Sequence, residues 1–276
     1  MLRVPYCAHF LGSGDNSKFG DGSMPRFFVS SDAIDCVNEN GAVSGTIAVT
    51  GDDAAHITKV LRMKPGERVT VCDLAGHDYD TVVASTGSTV TLEITGVKVS
   101  ENEPPYRAVV YQSLVRGDRF DTVLQKATEL GASAIVPVLT SRCTVKLEIG
   151  SADCRKKLER WQRIVYEAAK QCGRGMIPKV CEPMKFRDAA AEAARAGLPL
   201  FCYEGEGTKP LPECMDAVKQ PETVSIMIGP EGGYAAEEAE YAAASGMIMT
   251  GLGKRILRTE TAPSFVLSCV SYKYEL

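Results

Sequence analysis

The chain has 276 residues, 45% of them hydrophobic, and a formal net charge of −4. That size and apolar content support one large or two modest domains with buried cores, which excludes an intrinsically disordered chain. The acid excess excludes a uniformly basic nucleic-acid-binding surface, so any RNA contact must come from a local concentration of charge.

Residues 1–23 are rich in Gly, Ser, Asp and Asn, which marks a disordered or non-native extension, and an ordered protein is expected from Met24. From 27 to 99 short β-rich runs follow one another at 46–49, 68–72, 79–84 and 89–94, separated by Gly, Asp and Ser. They predict a small barrel-like domain over 24–100. One helix interrupts it, with Asp52 or Asp53 as N-cap and with Ile57, Val60 and Leu61 on one face. His56 is expected to pack on that helix, and His77 and Asp78 to lie in a hairpin turn. The polar, proline-stiffened stretch 101–105 then reads as a linker. Over 101–276 the pattern becomes alternating strands and helices. Strands are expected at 109–113, 134–139, 198–203, 224–228 and 247–250, and helices near 118–130, 152–172, 186–196, 235–245 and 260–273. This alternation predicts an α/β domain with a mostly parallel sheet covered on both faces.

Ten cysteines are scattered without a C-x-x-C pair. That pattern suits small buried hydrophobes in a reducing compartment better than a disulfide scaffold or a zinc site, and Cys143 and Cys172 read as core or wall residues. No apolar run is long enough to span a bilayer and no signal peptide is evident, so a cytoplasmic chain is expected.

Two segments carry the chemistry. Ile226-Met227-Ile228-Gly229-Pro230-Glu231-Gly232-Gly233 ends an apolar strand in a glycine turn that opens a helix. Such a turn is either a tight connection or a ligand loop that binds through main-chain N–H groups. A second loop, 251–262, follows the next strand. Its Gly251-x-Gly253 imitates a dinucleotide fingerprint, but Ile256 stands where the third small residue belongs, which excludes that reading. Residues 142–179 hold ten Lys or Arg against four acids. On the helix there, Lys156, Arg160 and Arg163 share one side, a solvated face or an RNA-binding one. All three histidines precede residue 100, so imidazole-based nucleophilic catalysis in the α/β domain is not expected.

At these positions the sequence resembles the RsmE family, the 16S ribosomal RNA uridine-N3 methyltransferases of the SPOUT superfamily. The resemblance rests on blocks in one order: His56-Ile57-x-x-Val60-Leu61-Arg62-Met63, Gln125-Lys126-Ala127-Thr128-Glu129-Leu130-Gly131, Arg142-Cys143-x-Val145-Lys146-Leu147, Glu167-Ala168-x-x-Gln171-Cys172-Gly173-Arg174, the Ile228–Gly233 turn, and Leu252-Gly253-x-Arg255-Ile256-Leu257-Arg258-Thr259-Glu260-Thr261. It implies a SPOUT-type trefoil-knotted α/β methyltransferase domain preceded by a PUA-like β-barrel. It further implies S-adenosylmethionine as cofactor without a metal, a homodimer, and 16S ribosomal RNA or the small ribosomal subunit as partner.

The cofactor is then expected on Ile228, Gly229, Gly232, Gly233, Leu252, Gly253, Ile256 and Leu257. Arg258, Arg142 and Glu231 are the candidate catalytic residues: Arg258 to stabilise a uracil anion or, alternatively, to brace the loop by a salt bridge to Glu260 or Glu231, Arg142 or Arg174 to assist from the partner subunit, and Glu231 as base or structural acceptor. Arg26, Arg62, Arg155, Lys156, Arg160, Arg163 and Arg174 are the candidate RNA contacts. Another SPOUT methyltransferase with a different RNA target, and a non-catalytic RNA-binding protein of this fold, remain open alternatives. Two positions depart from the family pattern: Ser141 stands where an acid is common, and Ala235 replaces a serine N-cap at a local cost of about 1 kcal/mol.

Overall fold

The computed structural model of the chain describes residues 25–39 and 42–276; the extension expected over 1–23 lies outside them. The first β-rich runs form six strands: β1 (Arg26–Phe28), β2 (Ile34–Glu39), β3 (Ala42–Val49), β4 (Arg68–Cys72), β5 (His77–Ser85) and β6 (Val90–Val99). They make one sheet in the order β1-β4-β5-β6-β3-β2, antiparallel except for the β1–β4 pair. Period-two alternation turns Ile47, Val69, Val71 and Leu92 into a common core.

The helix inside this unit differs from expectation. α1 (Gly51–Ala55) has Thr50 at its N-cap position without a side-chain capping bond, holds Asp52 and Asp53 inside its first turn, and continues as a π-type turn over His56–Val60. The wider turn shifts the phase of the following side chains. Ile57 is therefore buried and Leu61 partly so, while Val60 is 55% exposed. His56 packs its ring edge-on against Phe27. His77 and Asp78 do not occupy a hairpin turn; they begin β5. The turn before them is held by Asp73, whose Oδ1 accepts from the Ala75 and His77 N–H groups and whose Oδ2 lies 3.0 Å from His77 Nδ1.

The second sheet comprises β7 (Arg107–Ser113), β8 (Ala132–Leu139), the two-residue β9 (Lys179–Val180) and β10 (Met184–Lys185), β11 (Leu198–Cys202), β12 (Lys209–Pro210), β13 (Thr223–Ile228) and β14 (Ile248–Gly251). All pairs are parallel, in the order β10-β8-β7-β13-β11-β14-β12, with β9 also on β8. Six helices cover it: α2 (Arg119–Glu129), α3 (Ala152–Cys172), α4 (Phe186–Ala193), α5 (Leu211–Asp216), α6 (Ala236–Ala244) and α7 (Ala262–Tyr274).

Alternation within single strands assigns the faces. Leu200 and Ile226 point to the side of α2, α3, α5 and α7, where Phe120, Trp161, Val165 and Leu267 are buried. Phe201 and Met227 point to the side of α4 and α6, with Phe186 and Tyr234. Helix α5, absent from the sequence expectation, is only six residues long. α7 starts at Ala262, two residues later than expected, with Pro263 in its first turn.

The two sheets meet at the proline-stiffened stretch. Arg174 is 3% exposed. Its guanidinium forks onto Glu103 at 2.6–3.1 Å and donates to the Thr128 and Ala132 carbonyls. Gly76 N–H donates to Gly175 O, and Cys72 Sγ lies 3.4 Å from the same carbonyl. The expectation that Arg174 contacts RNA is thus corrected: it is the buried clasp of this junction. Arg26, also expected on RNA, is turned inward to Asp78 at 2.7 Å and to Ser100 Oγ at 3.2 Å.

Candidate active site

The carboxyl ends of β11, β13 and β14 open into one cleft of about 1020 Å³. Ligand sites sit there in open α/β sheets because the connections at that edge are free of the packing that covers the faces. β13 and β14, consecutive in the chain, are not neighbours in the sheet; β11 runs between them. The loop after β11, with Tyr203, Glu204, Gly205 and Thr208, is accordingly a third wall. Sequence reading missed it, although an apolar strand ending in Tyr-Glu-Gly was the available signal.

The turn after β13 is held from several sides. Gly233 N–H closes it by donating to Pro230 O at 2.9 Å. Arg142 Nη1 donates to Gly232 O at 3.0 Å. Glu231 Oε1 accepts from Arg119 Nη1 at 2.8 Å and from the Arg116 N–H at 3.4 Å. The two departures from the family pattern meet at Glu238. It accepts from Ala235 N–H at 2.9 Å, supplying half of a capping box, and from Ser141 N–H at 2.8 Å. The helix after the turn is therefore anchored without a serine N-cap.

Gly229 is a close-approach position, since a Cβ there would lie 3.1 Å from the Tyr234 ring. Gly232 has room, its nearest neighbour being Arg142 Cβ at 3.5 Å. In the loop after β14, Gly253 takes φ +105°, a conformation that other residues rarely adopt.

All eight residues expected on the cofactor line this cleft, and so do Arg258, Arg142 and Glu231. Ile228 is buried in the floor, whereas Ile256 is 82% exposed at the rim. Arg258 projects outward and reaches only to 4.0 Å from Glu260. Five cations at the cleft (Arg119, Arg142, Lys254, Arg255 and Arg258) face three acids (Glu204, Glu231 and Glu260), so the opening is locally basic in an acidic chain. Burial pushes the Cys202 thiol up to about 12. It is no thiolate nucleophile at neutral pH.

The α3 cations lie elsewhere. Arg155, Lys156, Arg160 and Arg163 are exposed on that helix, as is Arg62 on the first sheet unit. Arg160 already forks onto Asp121 at 2.7 and 2.8 Å, and Arg155 donates to Gly150 O. Cys143 is partly buried as expected, but Cys172 is exposed.

The cleft fits a ligand with an apolar body and polar groups for main-chain recognition. Leu252 and Leu257 pack partly on the core beneath it, and a Cβ at Gly229 or Gly251 would press on Tyr234 or Thr208.

The model of an RNA methyltransferase domain matches residues 102–271, and that of an RNA methyltransferase PUA domain matches 49–95. A ribosomal RNA small subunit methyltransferase E of Bacillus subtilis is 32% identical over 258 residues, 92% of this chain and 98% of the relative. Its namesake from Synechocystis is 32% identical over 83% of this chain and 74% of its own. A ribosomal RNA small subunit methyltransferase E from Neisseria gonorrhoeae, crystallised with S-adenosyl methionine, aligns with a TM-score of 0.71 and 31% identity. That alignment covers 91% of this chain and 98% of that one.

Proposed function

The chain belongs to the ribosomal RNA small subunit methyltransferase E family, and from this premise we propose that it methylates N3 of one uridine in 16S ribosomal RNA, using S-adenosylmethionine. The observation that carries the proposal is the convergence of eleven expected site residues on one cleft at the carboxyl edge of the sheet.

Gly229, Leu252, Gly253 and Leu257 hold the cofactor, through main-chain groups and apolar walls. When bound, it supplies an electrophilic methyl carbon on a sulfonium, so the protein's task is alignment and charge stabilisation. Uracil N3 becomes a nucleophile only when its proton leaves, with negative charge shared by O2 and O4. Arg258 is exposed and nearly free, so its planar fork can meet that charge as it develops. Arg142 is tied to Gly232 O and shapes the cofactor turn from beside it. Glu231, considered from sequence as a base, is engaged by Arg119 and by the Arg116 N–H; it braces the turn.

RNA runs from this basic opening toward Arg62 and the α3 face. The division near residue 101 separates a PUA-like RNA-holding domain from the methyltransferase domain. β13 inserts between β7 and β11, and after β14 the chain returns to pack α7 on α2, β7 and β13. That path accommodates the knot implied by the family. A homodimer completes the RNA site, and a ribosomal substrate places the enzyme in the cytoplasm. Among the described residues no helix is long and apolar enough to cross a membrane.

The test is nucleoside mass mapping of small subunits from a deletion strain after incubation with the purified chain and S-adenosylmethionine. One 3-methyluridine should appear in 16S RNA. Arg258→Lys should slow that single turnover about 10- to 100-fold, with cofactor affinity little changed. A mark on another base or RNA, or none, overturns the proposal.

A further inference from the structure

The loop after β14 must cross the end of β11 to reach β13, and the Thr259 hydroxyl ties it there. Thr259 Oγ1 lies 2.6 Å from Gly229 O and 3.0 Å from Gln112 Nε2. Its one proton can serve only the carbonyl, which leaves the hydroxyl oxygen to accept from the Gln112 amide. Gln112 Nε2 also donates to Ser113 O at 3.1 Å. Turning the amide over would set its oxygen against that carbonyl, so its orientation is determined.

Gln112 is fully buried at the end of β7, in register with Ile228 of β13. Its Oε1 has no partner among the described residues. A buried glutamine with an orphaned oxygen is costly, and an apolar residue would fill this place better unless the amide had a task. The bonded chain Gln112–Thr259–Gly229 is that task. It joins the ends of β7 and β13 to the loop after β14, across the intervening end of β11.

We propose that Gln112 and Thr259 are positioning residues that shape the cofactor cleft: they lash the loop carrying Leu252, Gly253 and Leu257 to the glycine turn, so that both walls stand at the separation the ligand needs. The inference rests on the cofactor reading above. Neither residue needs to touch the reacting atoms. Thr259 lies directly beside Arg258, so the same lash also limits where that guanidinium can reach.

The experiment is calorimetric titration of the full-length protein with S-adenosylmethionine and with S-adenosylhomocysteine, well below the melting temperature. Thr259→Val keeps the shape and removes the hydroxyl; it should weaken both ligands about tenfold. Thr259→Ser should restore binding to within about threefold of wild type, since it returns the hydroxyl. Gln112→Met should weaken binding, and the double variant should lose no more than the larger single loss, because both act through one chain. A residue that only stabilises the fold would lower the melting temperature without this pattern.

Binding by Thr259→Val equal to wild type, or additive losses in the double variant, overturns the lash while leaving the cofactor reading intact. No binding by the wild type overturns the cofactor reading and the lash with it. If Thr259→Val fails to fold, Gln112→Met alone decides: unchanged affinity overturns the proposal and weakened affinity supports it.

Discussion

The cleft and the outer face of α3 are both rich in arginine, yet they are built on opposite principles. Around the glycine turn of the cleft the polar groups have fixed addresses, Arg142 on Gly232 O, Arg119 on Glu231 and Thr259 on Gly229 O, and Arg258 at the opening is the one left nearly free among those named. On the outer face of α3 Arg155, Lys156, Arg160 and Arg163 are exposed, and Lys156 and Arg163 have no ion pair among the described residues. Arg174, just beyond the helix, shows that motif position alone does not say which principle applies. It lies in the family block that ends α3 and is the most buried of the candidate RNA contacts. A site recognising a small ligand needs defined distances, whereas a face meeting a phosphate backbone needs only charge that can adapt.

Arg174 offers the sharpest way to break this distinction. Arg174→Ala should destabilise the protein by about 3–5 kcal/mol, because Glu103 and two carbonyls lose their donor in a buried setting. Denaturant titration measures that loss. The salt dependence of RNA binding, measured under conditions where the variant is folded, should stay as in wild type. A stable Arg174→Ala protein with a reduced salt slope would return this residue to the RNA-binding face.

The next effect contrasts two glycines of one turn. Gly229→Val should weaken S-adenosylmethionine at least about 100-fold, since its branched carbon meets the Tyr234 ring in a close-packed wall. Gly232→Ala should stay within about threefold of wild type, because its Cβ has ordinary contact distances. Calorimetry on folded protein checks both. Equal losses would mean that backbone freedom throughout the turn, rather than the Tyr234 contact, governs binding.

The smallest effect is expected on α3. Replacing Lys156 and Arg163 together by glutamine should lower the slope of log RNA affinity against log salt by about 1.5, with stability and cofactor affinity unaltered. Arg160→Gln should change it less, because its fork on Asp121 already neutralises part of its charge. An unaltered slope in the double variant would make α3 an ordinary solvated face.

What the sequence determined by itself is the part governed by local rules. Apolar runs with glycine at their ends predict strands and turns wherever they sit, so β11, β13 and β14 were legible within one or two residues. The blocks around Gly229 and Gly253 pointed to two loops that the structure brings together in one cleft. Local rules also misled: Val60 reads as a core residue only if the helix keeps its regular period, and the π-type turn over His56–Val60 removes that premise.

Tertiary structure alone decided the rest, because it depends on which strand lies beside which. The insertion of β11 between β13 and β14 brought Tyr203 and Thr208 into the cleft. The pairing of β7 with β13 set Gln112 beside Thr259, 147 positions away. Nothing in the neighbourhood of Gln112, Arg26 or Arg174 in the chain says that one will brace a loop and that two will turn inward. A polar side chain takes its role from the partner that the fold delivers, and that partner is set by strand order and not by sequence spacing.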